Sequence, residues 1–260
     1  MSYDPGAAAA FYDEYGEREW TRFEDGRTPP ASLATHLHYL RSLVRPGDRT
    51  LDIGCGPGRF TIELVSIGAV VVAADVSPVQ LELHRRNVVD DGVEARVIAD
   101  VVDLSQFAED EFDAVICYGG PLSYVMDEAP TAVAELARVT RPGGRVLLSV
   151  MSLVGATLSV EGGIGALVAE YDEATVRRVT STGRLGAELG AHGLLMRLYR
   201  WSELRQLLEP HGRIVAASAT GIFARDEGDP SLLAELELDL GAEPGALDVG
   251  HHILAVLEVA

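Results

Sequence analysis

Short apolar runs alternate with amphipathic segments through the middle of the chain. This pattern predicts strands at 49–53, 69–74, 95–99, 112–117 and 145–150. Helices are predicted between them, at 59–67, 78–89 (with Ser77 as N-cap) and 131–139. A continuous β-branched run such as AVVVAA at 69–74 is typical of a strand buried on both faces. Alternating strands and helices of this kind predict an α/β fold, with a mostly parallel sheet covered by helices on both faces.

The flanking segments predict additions to this sheet. Residues 6–44 are mostly helical and are expected to close over the site. Residues 152–199, with predicted helices at 166–178 and 185–198, are too long for a simple connection. A last helix at 201–211 precedes two final strands at 213–219 and 252–259. The predicted organisation is an N-terminal helical cap (1–44), a core (45–151), a helical insert acting as substrate lid (152–200) and a completion of the core (201–260).

Length and composition fit one large α/β domain, because 260 residues with 47% apolar content can form a full core. The longest apolar stretch, at 64–74, is too short to span a bilayer. The N-terminus lacks a basic flank followed by an apolar run, so we expect no signal peptide. The two cysteines have no metal-ligand spacing, so no metal is predicted and a reducing, cytoplasmic location is expected.

The net charge of −19 bears on partners. Such a surface repels phosphate backbones and anionic membranes, so we expect neither nucleic acid nor a membrane to bind. All 21 basic residues are arginine, and the acidity also permits a halophilic origin. The pattern leaves a homodimer open.

A glycine-rich turn joins the first strand to the first helix of the core, in LDIGCGPGRF at 51–60. Its glycines allow a tight turn and close approach of a ligand. Dinucleotide enzymes use a similar turn, but with G-x-G-x-x-G spacing. Here Pro57 removes an amide N–H, and the carboxylate of Asp52 would repel a pyrophosphate and attract an ammonium or sulfonium. The alternative is that Asp52 only caps the turn.

Two more carboxylates follow predicted strands. Asp75 ends the second strand and could accept hydrogen bonds from ribose hydroxyls, or merely place a charge at the next helix. Asp100 ends the third strand and could accept from an adenine amino group, with the N–H of Val101 reaching a ring nitrogen. Asp103 is a rival for that role, and a plain surface loop is the other alternative.

The segment CYGGPLSYV at 117–125 follows the fourth strand. Its paired glycines expose backbone groups, and Tyr118 and Tyr124 could provide aromatic walls suited to a sulfonium. The alternative is that the two tyrosines only pack beside a flexible turn.

Taken in this order, these elements resemble the class I S-adenosylmethionine (SAM)-dependent methyltransferases. The resemblance covers about 45–150 and extends through 201–219 and 252–259. It implies a Rossmann-like, seven-stranded sheet whose last strand is antiparallel and lies between strands five and six. It also implies SAM as cofactor, with S-adenosylhomocysteine as product, and an N-terminal tyrosine at Tyr12 or Tyr15. The cofactor-binding residues are then expected to be Asp52, Gly54, Cys55, Gly56, Gly58, Asp75, Val76, Asp100, Val101, Cys117 (through its backbone) and Tyr12.

The implied function is O-, N- or C-methylation of a small, aromatic or apolar metabolite, with a quinone-type C-methyltransferase as the nearest rival within the class. Oxygen and carbon nucleophiles usually lose a proton, and the candidates for a general base are His252, His38 and Glu170. Each of these could equally be a surface or packing residue. The chain lacks an NPPY-type run, which disfavours methylation of DNA or of glutamine side chains. A non-catalytic SAM-binding sensor or scaffold and a nicotinamide-dependent oxidoreductase remain as alternatives.

Overall fold

Seven strands form one sheet in the computed structural model, which describes residues 3–22, 30–89, 91–161, 163–186, 194–223, 226 and 228–260. We number the strands β1 (Arg49–Ile53), β2 (Val70–Asp75), β3 (Val93–Ile98), β4 (Phe112–Cys117), β5 (Thr140–Met151), β6 (Gly212–Thr220) and β7 (His252–Val259). Their order is β3-β2-β1-β4-β5-β7-β6. Strand β7 is antiparallel to both β5 and β6, and the other pairs are parallel. The predicted seven-stranded fold is therefore confirmed, including the place of its antiparallel strand.

Helices lie before the first strand and between the strands. They are α1 (Pro5–Tyr15), α2 (Arg18–Thr21), α3 (Pro30–Leu43), α4 (Arg59–Ile67), α5 (Pro78–Asn87), α6 (Pro121–Tyr124), α7 (Ala129–Val139), α8 (Leu153–Leu158), α9 (Gly163–Tyr171), α10 (Glu173–Thr182), α11 (Trp201–Leu208) and α12 (Pro230–Gly241). Single 3-10 turns occur at Met126–Glu128 and Glu209–His211. The predicted cap at Ser77 is present, since its side chain accepts from the backbone N–H of Gln80.

Two hydrophobic clusters cover the two faces of the sheet. Along β4, Val115 belongs to one cluster and its neighbour Ile116 to the other, because successive side chains of a strand point to opposite faces. Helices α7 and α11 contribute to the first cluster, through residues such as Leu136 and Leu204. Helices α3 and α4 contribute Leu40 and Leu64 to the second. The carboxyl ends of the parallel strands therefore meet at one edge, between two helical layers.

The insert differs from its prediction. The predicted helix at 185–198 is wrong at both ends, because Arg184–Leu185 pairs antiparallel with Met196–Arg197; residues 187–193, with His192, lie outside the described residues. Met196 and Leu198 are buried while Arg197 is partly exposed, a two-residue period that favours a strand. The predicted helix at 166–178 is divided at Asp172, which has a φ of 73° and caps α10.

Helix α12 was missed by the prediction. Its start carries a recognisable signal, since Asp229 caps Ser231 and Leu232 and is followed by a proline at the first helical position. One fully buried carboxylate on this helix, Glu237, accepts from the backbone N–H of Gly221 at 2.6 Å. The helix thereby fixes the turn that follows β6. Among the described residues, no helix is long and apolar enough to cross a membrane.

Candidate functional site

A cleft of about 900 Å³, including its open mouth, lies at the carboxyl ends of β1, β2, β3 and β4. Core elements and the N-terminal segment both contribute to its walls. The lining residues are Tyr3, Ala8, Tyr12, Glu19, Arg22, Ile53, Gly54, Cys55, Gly56, Pro57, Arg59, Phe60, Asp75, Val76, Ala99, Asp100, Val101, Tyr118, Gly119, Pro121, Tyr124 and Val125. Eight of the predicted cofactor-binding residues are in this set: Tyr12, Gly54, Cys55, Gly56, Asp75, Val76, Asp100 and Val101.

The glycine turn after β1 forms the floor of the cleft. A Cβ atom at Gly54 would lie 2.5 Å from Pro121 Cγ, so only glycine allows the turns after β1 and β4 to approach so closely. Gly58 has a different role from the one predicted. It is not among the described residues that line the cleft, and a Cβ atom there would lie 2.2 Å from Val88 Cγ2. Gly58 therefore allows α4 and α5 to pack together.

Asp75 lies at the tip of β2 and is held by two backbone groups. Its Oδ2 accepts from Gly56 N and its Oδ1 from Ser77 N, each at 2.9 Å. Burial raises the pKa of Asp75 to about 6, although these hydrogen bonds act in the opposite direction. Each carboxylate oxygen can accept a second hydrogen bond, so Asp75 can still receive ribose hydroxyls while it fixes the glycine turn.

Asp100 follows β3 and also faces the cleft. Its Oδ1 accepts from Val102 N at 3.1 Å, and its Oδ2 accepts from the hydroxyl of Tyr3 at 3.0 Å. Tyr3 thus contacts the carboxylate that is predicted to accept a hydrogen bond from the adenine amino group. The rival Asp103 does not line the described cleft; it is exposed and accepts from Ser105 N.

The position of Asp52 requires a correction, because three carboxylates were expected to face one cleft. Asp52 is only 2% exposed and is not among the described lining residues. Its Oδ2 accepts from the hydroxyl of Thr61 on α4 at 2.6 Å. The physical reason is strand alternation: Asp52 lies inside β1, so its side chain points to α4 rather than past the end of the strand.

A chain of hydrogen bonds supports Asp52 from behind. Arg96 Nε donates to His84 Nδ1 at 2.9 Å, so the proton of this neutral imidazole is on Nε2, which donates to Thr61 Oγ1. The hydroxyl of Thr61 then donates to Asp52. Burial and, secondarily, Arg96 lower the pKa of His84 to about 4. Burial raises the pKa of Asp52 to about 7, with a further contribution from the nearby charge of Asp75.

Aromatic rings form the walls near the turn after β4. The rings of Tyr12 and Tyr124 meet edge to face with 6.1 Å between centroids, and those of Phe60 and Tyr118 do so at 5.0 Å. Of the two predicted N-terminal tyrosines, Tyr12 lines the described cleft and Tyr15 does not.

The side chain of Cys117 lies outside the cleft. It is fully buried in the core, where burial raises the pKa of its thiol to about 12. Only the backbone role that the resemblance implied for this residue remains as a prediction.

None of the three predicted bases is among the described residues that line the cleft. His38 and Glu170 are exposed, on α3 and α9. His252 lies behind the wall, with its ring 6.2 Å from that of His36, and burial lowers its pKa to about 3. The described parts of the chain also contain no group of three His, Cys, Asp or Glu side chains suited to a metal ion.

A histidine outside the predicted set supports the wall instead. His36 Nδ1 donates to Ser32 O at 2.7 Å, so its Nε2 accepts from the hydroxyl of Ser149 at 3.1 Å. Ser149 Oγ in turn accepts from Gly119 N at 3.0 Å. His36 therefore positions the two-glycine turn at the end of β4. Its spacing on α3 could not show this, because the contact joins α3 to β5, 113 positions further along the chain.

The N-terminal segment is fastened over the cleft by polar contacts to the core. The hydroxyl of Ser77 donates to Asp13 Oδ1 at 2.5 Å, and Gln80 Nε2 donates to the backbone oxygen of Tyr12 at 2.9 Å. Arg59 Nη2 donates to the backbone oxygen of Trp20 at 2.5 Å. These contacts bring Tyr3, Glu19 and Arg22 into the cleft, and none of the three belongs to a motif that predicts a ligand contact.

The sheet has a Rossmann-like strand order, and the cleft at its edge presents two carboxylates, at the ends of β2 and β3. Residues 50–144 match the model of the methyltransferase domain family. This segment and the fold are similar to those of the class I SAM-dependent methyltransferases, a class whose cofactor is SAM.

Two proteins named demethylmenaquinone methyltransferase are similar to part of the chain. It is 36% identical over 153 residues to the demethylmenaquinone methyltransferase of Clavibacter sepedonicus, covering 57% of this chain and 59% of that one. It is 43% identical over 154 residues to the demethylmenaquinone methyltransferase of Mycobacterium marinum, covering 57% and 61%. The chain thus spans less than two thirds of the length of these relatives.

Solved structures share the fold over almost the whole chain. A Haloferax volcanii methyltransferase, described as putative and solved with the Trm112 activator, has a TM-score of 0.63 at 18% identity and covers 97% of each chain. The 1,6-didemethyltoxoflavin-N1-methyltransferase of Burkholderia thailandensis has a TM-score of 0.56 at 20% identity, covering 100% of this chain and 92% of its own.

Proposed function

We propose that this protein transfers a methyl group from SAM to a small-molecule acceptor. The observation that carries the proposal is the composition of one cleft: it is lined by the carboxyl groups of Asp75 and Asp100, where we propose that the nucleoside binds, and by the aromatic rings of Tyr12, Tyr124 and Phe60. The N-terminal segment covers this cleft, which suits an acceptor small enough to be enclosed with the cofactor.

The names of similar proteins support a small-molecule acceptor without selecting one atom. Relatives are named for demethylmenaquinone methylation and, in Xanthomonas axonopodis, for an O-methylation in ubiquinone biosynthesis. The toxoflavin enzyme is named for methylation at a nitrogen. We therefore leave open whether oxygen, nitrogen or carbon is methylated here.

In this reaction the residues of the cleft would align the acceptor with the cofactor and exclude water. SAM supplies the electrophilic methyl group, and displacement at that group needs the acceptor atom to be in line with it. The contacts of Asp75 with Gly56 and Ser77 hold the glycine turn, and the Tyr12–Tyr124 and Phe60–Tyr118 pairs limit the space beside it. The three predicted bases are not among the described lining residues, so a proton acceptor, where the acceptor atom needs one, would have to come from a carboxylate that lines the cleft, such as Glu19 or Asp75.

The division into units stays part of the proposal. We propose residues 45–151 as the SAM-binding core, completed by 201–260, with 1–44 as cap and 152–200 as substrate lid. The insert supports its role through contacts, because Leu153, Met196 and Leu198 form a hydrophobic cluster with Tyr124, against which Tyr12 packs. A change in the insert would therefore move a wall of the cleft. Both cysteines are free and buried, which agrees with a cytoplasmic location.

A labelling experiment tests the proposal. The full chain is incubated with methyl-labelled SAM and a metabolite extract, with Asp75→Ala as the control variant. A labelled small product that depends on Asp75 is expected. Binding of S-adenosylhomocysteine without any product would instead indicate a sensor or scaffold. Equilibrium dialysis that shows binding of NADH, and not of S-adenosylhomocysteine, would reject methyl transfer altogether.

A further inference from the structure

An ion pair from the N-terminal segment lies inside the cleft. Arg22 Nε and Glu19 Oε1 are 2.8 Å apart, their side chains are 27% and 17% exposed, and both line the cleft. Partly buried ion pairs lose hydration on both partners, and replacing them with apolar residues often costs no stability. Fold stability therefore gives little reason for a charged pair on the inner side of the cap.

The pair spans the gap between two turns of the core. Glu19 Cγ lies 3.7 Å from the place of a Cβ atom on Gly56, and Arg22 Nη2 lies 3.8 Å from the place of a Cβ atom on Gly119. Glu19 thus covers the turn after β1, and Arg22 faces the turn after β4. The charge of Asp75 contributes to a raised pKa of Glu19, after the larger effect of burial, so Glu19 also lies close to the ribose end.

The cofactor carries a matching pair of charges. Beyond its ribose and sulfur, SAM ends in an amino acid with one ammonium and one carboxylate. Asp52 was the sequence-based candidate for the ammonium, but its carboxylate faces Thr61 outside the described cleft. We infer that Glu19 accepts from the ammonium of the cofactor and that Arg22 binds its carboxylate. This inference rests on the proposed function of the same cleft.

Each charge of the Glu19–Arg22 pair would have an opposite partner both with and without the cofactor. Without cofactor, Glu19 and Arg22 neutralise each other; with cofactor, each of them meets the opposite charge of the amino acid. A guanidinium suits this role because it can hold a carboxylate through two parallel hydrogen bonds. Among the described lining residues Arg59 is the other cation, but it donates to the backbone oxygen of Trp20 and stacks at 4.6 Å on the Trp20 ring. That anchoring makes it a part of the wall.

Three ligands separate the two charges in a calorimetric test. S-adenosylhomocysteine has both charges, its decarboxylated analogue has only the ammonium, and 5′-methylthioadenosine has neither. All three share the nucleoside, so methylthioadenosine also reports whether a variant keeps an intact adenosine site. The variants are Glu19→Gln, Arg22→Gln and both together. Glu17→Gln and Arg18→Gln, at exposed neighbouring positions, serve as matched controls.

The expected result is selective. Arg22→Gln should weaken S-adenosylhomocysteine about 10- to 100-fold, because charge-assisted hydrogen bonds are lost, while affinity for the decarboxylated analogue and methylthioadenosine changes less than about twofold. Glu19→Gln should weaken both ligands that carry the ammonium. The double variant should lose most of the preference for S-adenosylhomocysteine over methylthioadenosine. The controls should behave as the unaltered chain.

Other outcomes overturn the inference. If the unaltered chain prefers S-adenosylhomocysteine over methylthioadenosine and the Glu19 and Arg22 variants keep that preference, the roles inferred for Glu19 and Arg22 are wrong and the proposed function stands. If Arg59→Gln loses the preference for S-adenosylhomocysteine and Arg22→Gln keeps it, then Arg59 binds the carboxylate of the cofactor and the inference for Arg22 is wrong. If the unaltered chain binds none of the three ligands, the proposed function fails as well. If the variants bind all three ligands more weakly by the same factor, the substitutions affect the folding of the cap in general. That result would also reject the roles inferred for Glu19 and Arg22.

Discussion

Binding of SAM should become stronger as the pH rises from about 5.5 to about 7.5. Burial raises the pKa of Asp75 to about 6 and that of Asp52 to about 7, so both carboxyls are partly protonated in this range without ligand. SAM has a sulfonium in addition to its amino acid charges and is a net cation. A cation in the cleft favours the ionised carboxylates, so binding should release protons.

The minimum magnitude follows from these two pKa values, because Glu19, whose pKa is raised by burial, adds to the rise in the same direction. Across this pH range the ionised fraction of Asp75 rises about fourfold, and that of Asp52 rises about 25-fold. Affinity should therefore rise about fourfold if only Asp75 must be ionised in the complex. The gain should approach about 100-fold if Asp52 must be ionised too. The buried histidines His36 and His84 do not interfere, because their pKa values of about 4 lie below the range.

Calorimetry in buffers of different ionisation enthalpy measures both the affinity and the protons released. S-adenosylhomocysteine is the matched ligand, since it lacks the sulfonium charge, and its binding should depend less on pH. Asp52→Asn is the matched variant, in which only the smaller dependence from Asp75 should remain. An affinity for SAM that is constant over the range, or that falls with pH, would refute the electrostatic reasoning.

Three further changes test individual contacts. Asp75→Ala should weaken cofactor binding by about 1–3 kcal/mol through lost ribose hydrogen bonds, and unchanged affinity in calorimetry would contradict that assignment. Gly58→Ala should destabilise the fold by about 2–5 kcal/mol in urea unfolding, because its φ of 98° is strained for alanine and its Cβ would meet Val88; Val88→Ala in the same chain should recover part of the loss. Glu237→Ala should cost about 1–3 kcal/mol in the same assay, since the buried N–H of Gly221 loses its acceptor, whereas Glu237→Gln should cost less.

Local signals account for what the sequence predicted correctly. The strands of the core are short apolar runs ended by turn residues, and that pattern depends on neighbours along the chain. The carboxyl ends of parallel strands meet at one edge, so the strand pattern alone predicts that Asp75 and Asp100 lie close together. The sequence also has a two-residue period at 196–198, but a longer helical pattern overlaps it.

Contacts made by the cap could not be predicted in this way. Tyr3 reaches Asp100 across 97 positions of sequence, and the hydrophobic pattern of a short helix does not show which polar side chain turns inward. Glu19 on α2 and Arg22 at its C-cap are three residues apart, and pairs at this spacing are ordinary on exposed helix surfaces. Only the docking of the segment distinguishes this pair from a solvated one.

The error at Asp52 has a general physical cause. A carboxylate beside a glycine-rich turn resembles a ligand in sequence, but its direction depends on its position relative to the end of the strand. Asp75 is the last residue of β2 and Asp100 lies beyond the end of β3, and both face the cleft. Asp52 lies one residue before the end of β1, where alternation still fixes the side chain, and it points to α4. An acidic residue inside the strand therefore supports the turn from behind, while the ammonium of the ligand requires a carboxylate from elsewhere, which in this fold is available from the cap.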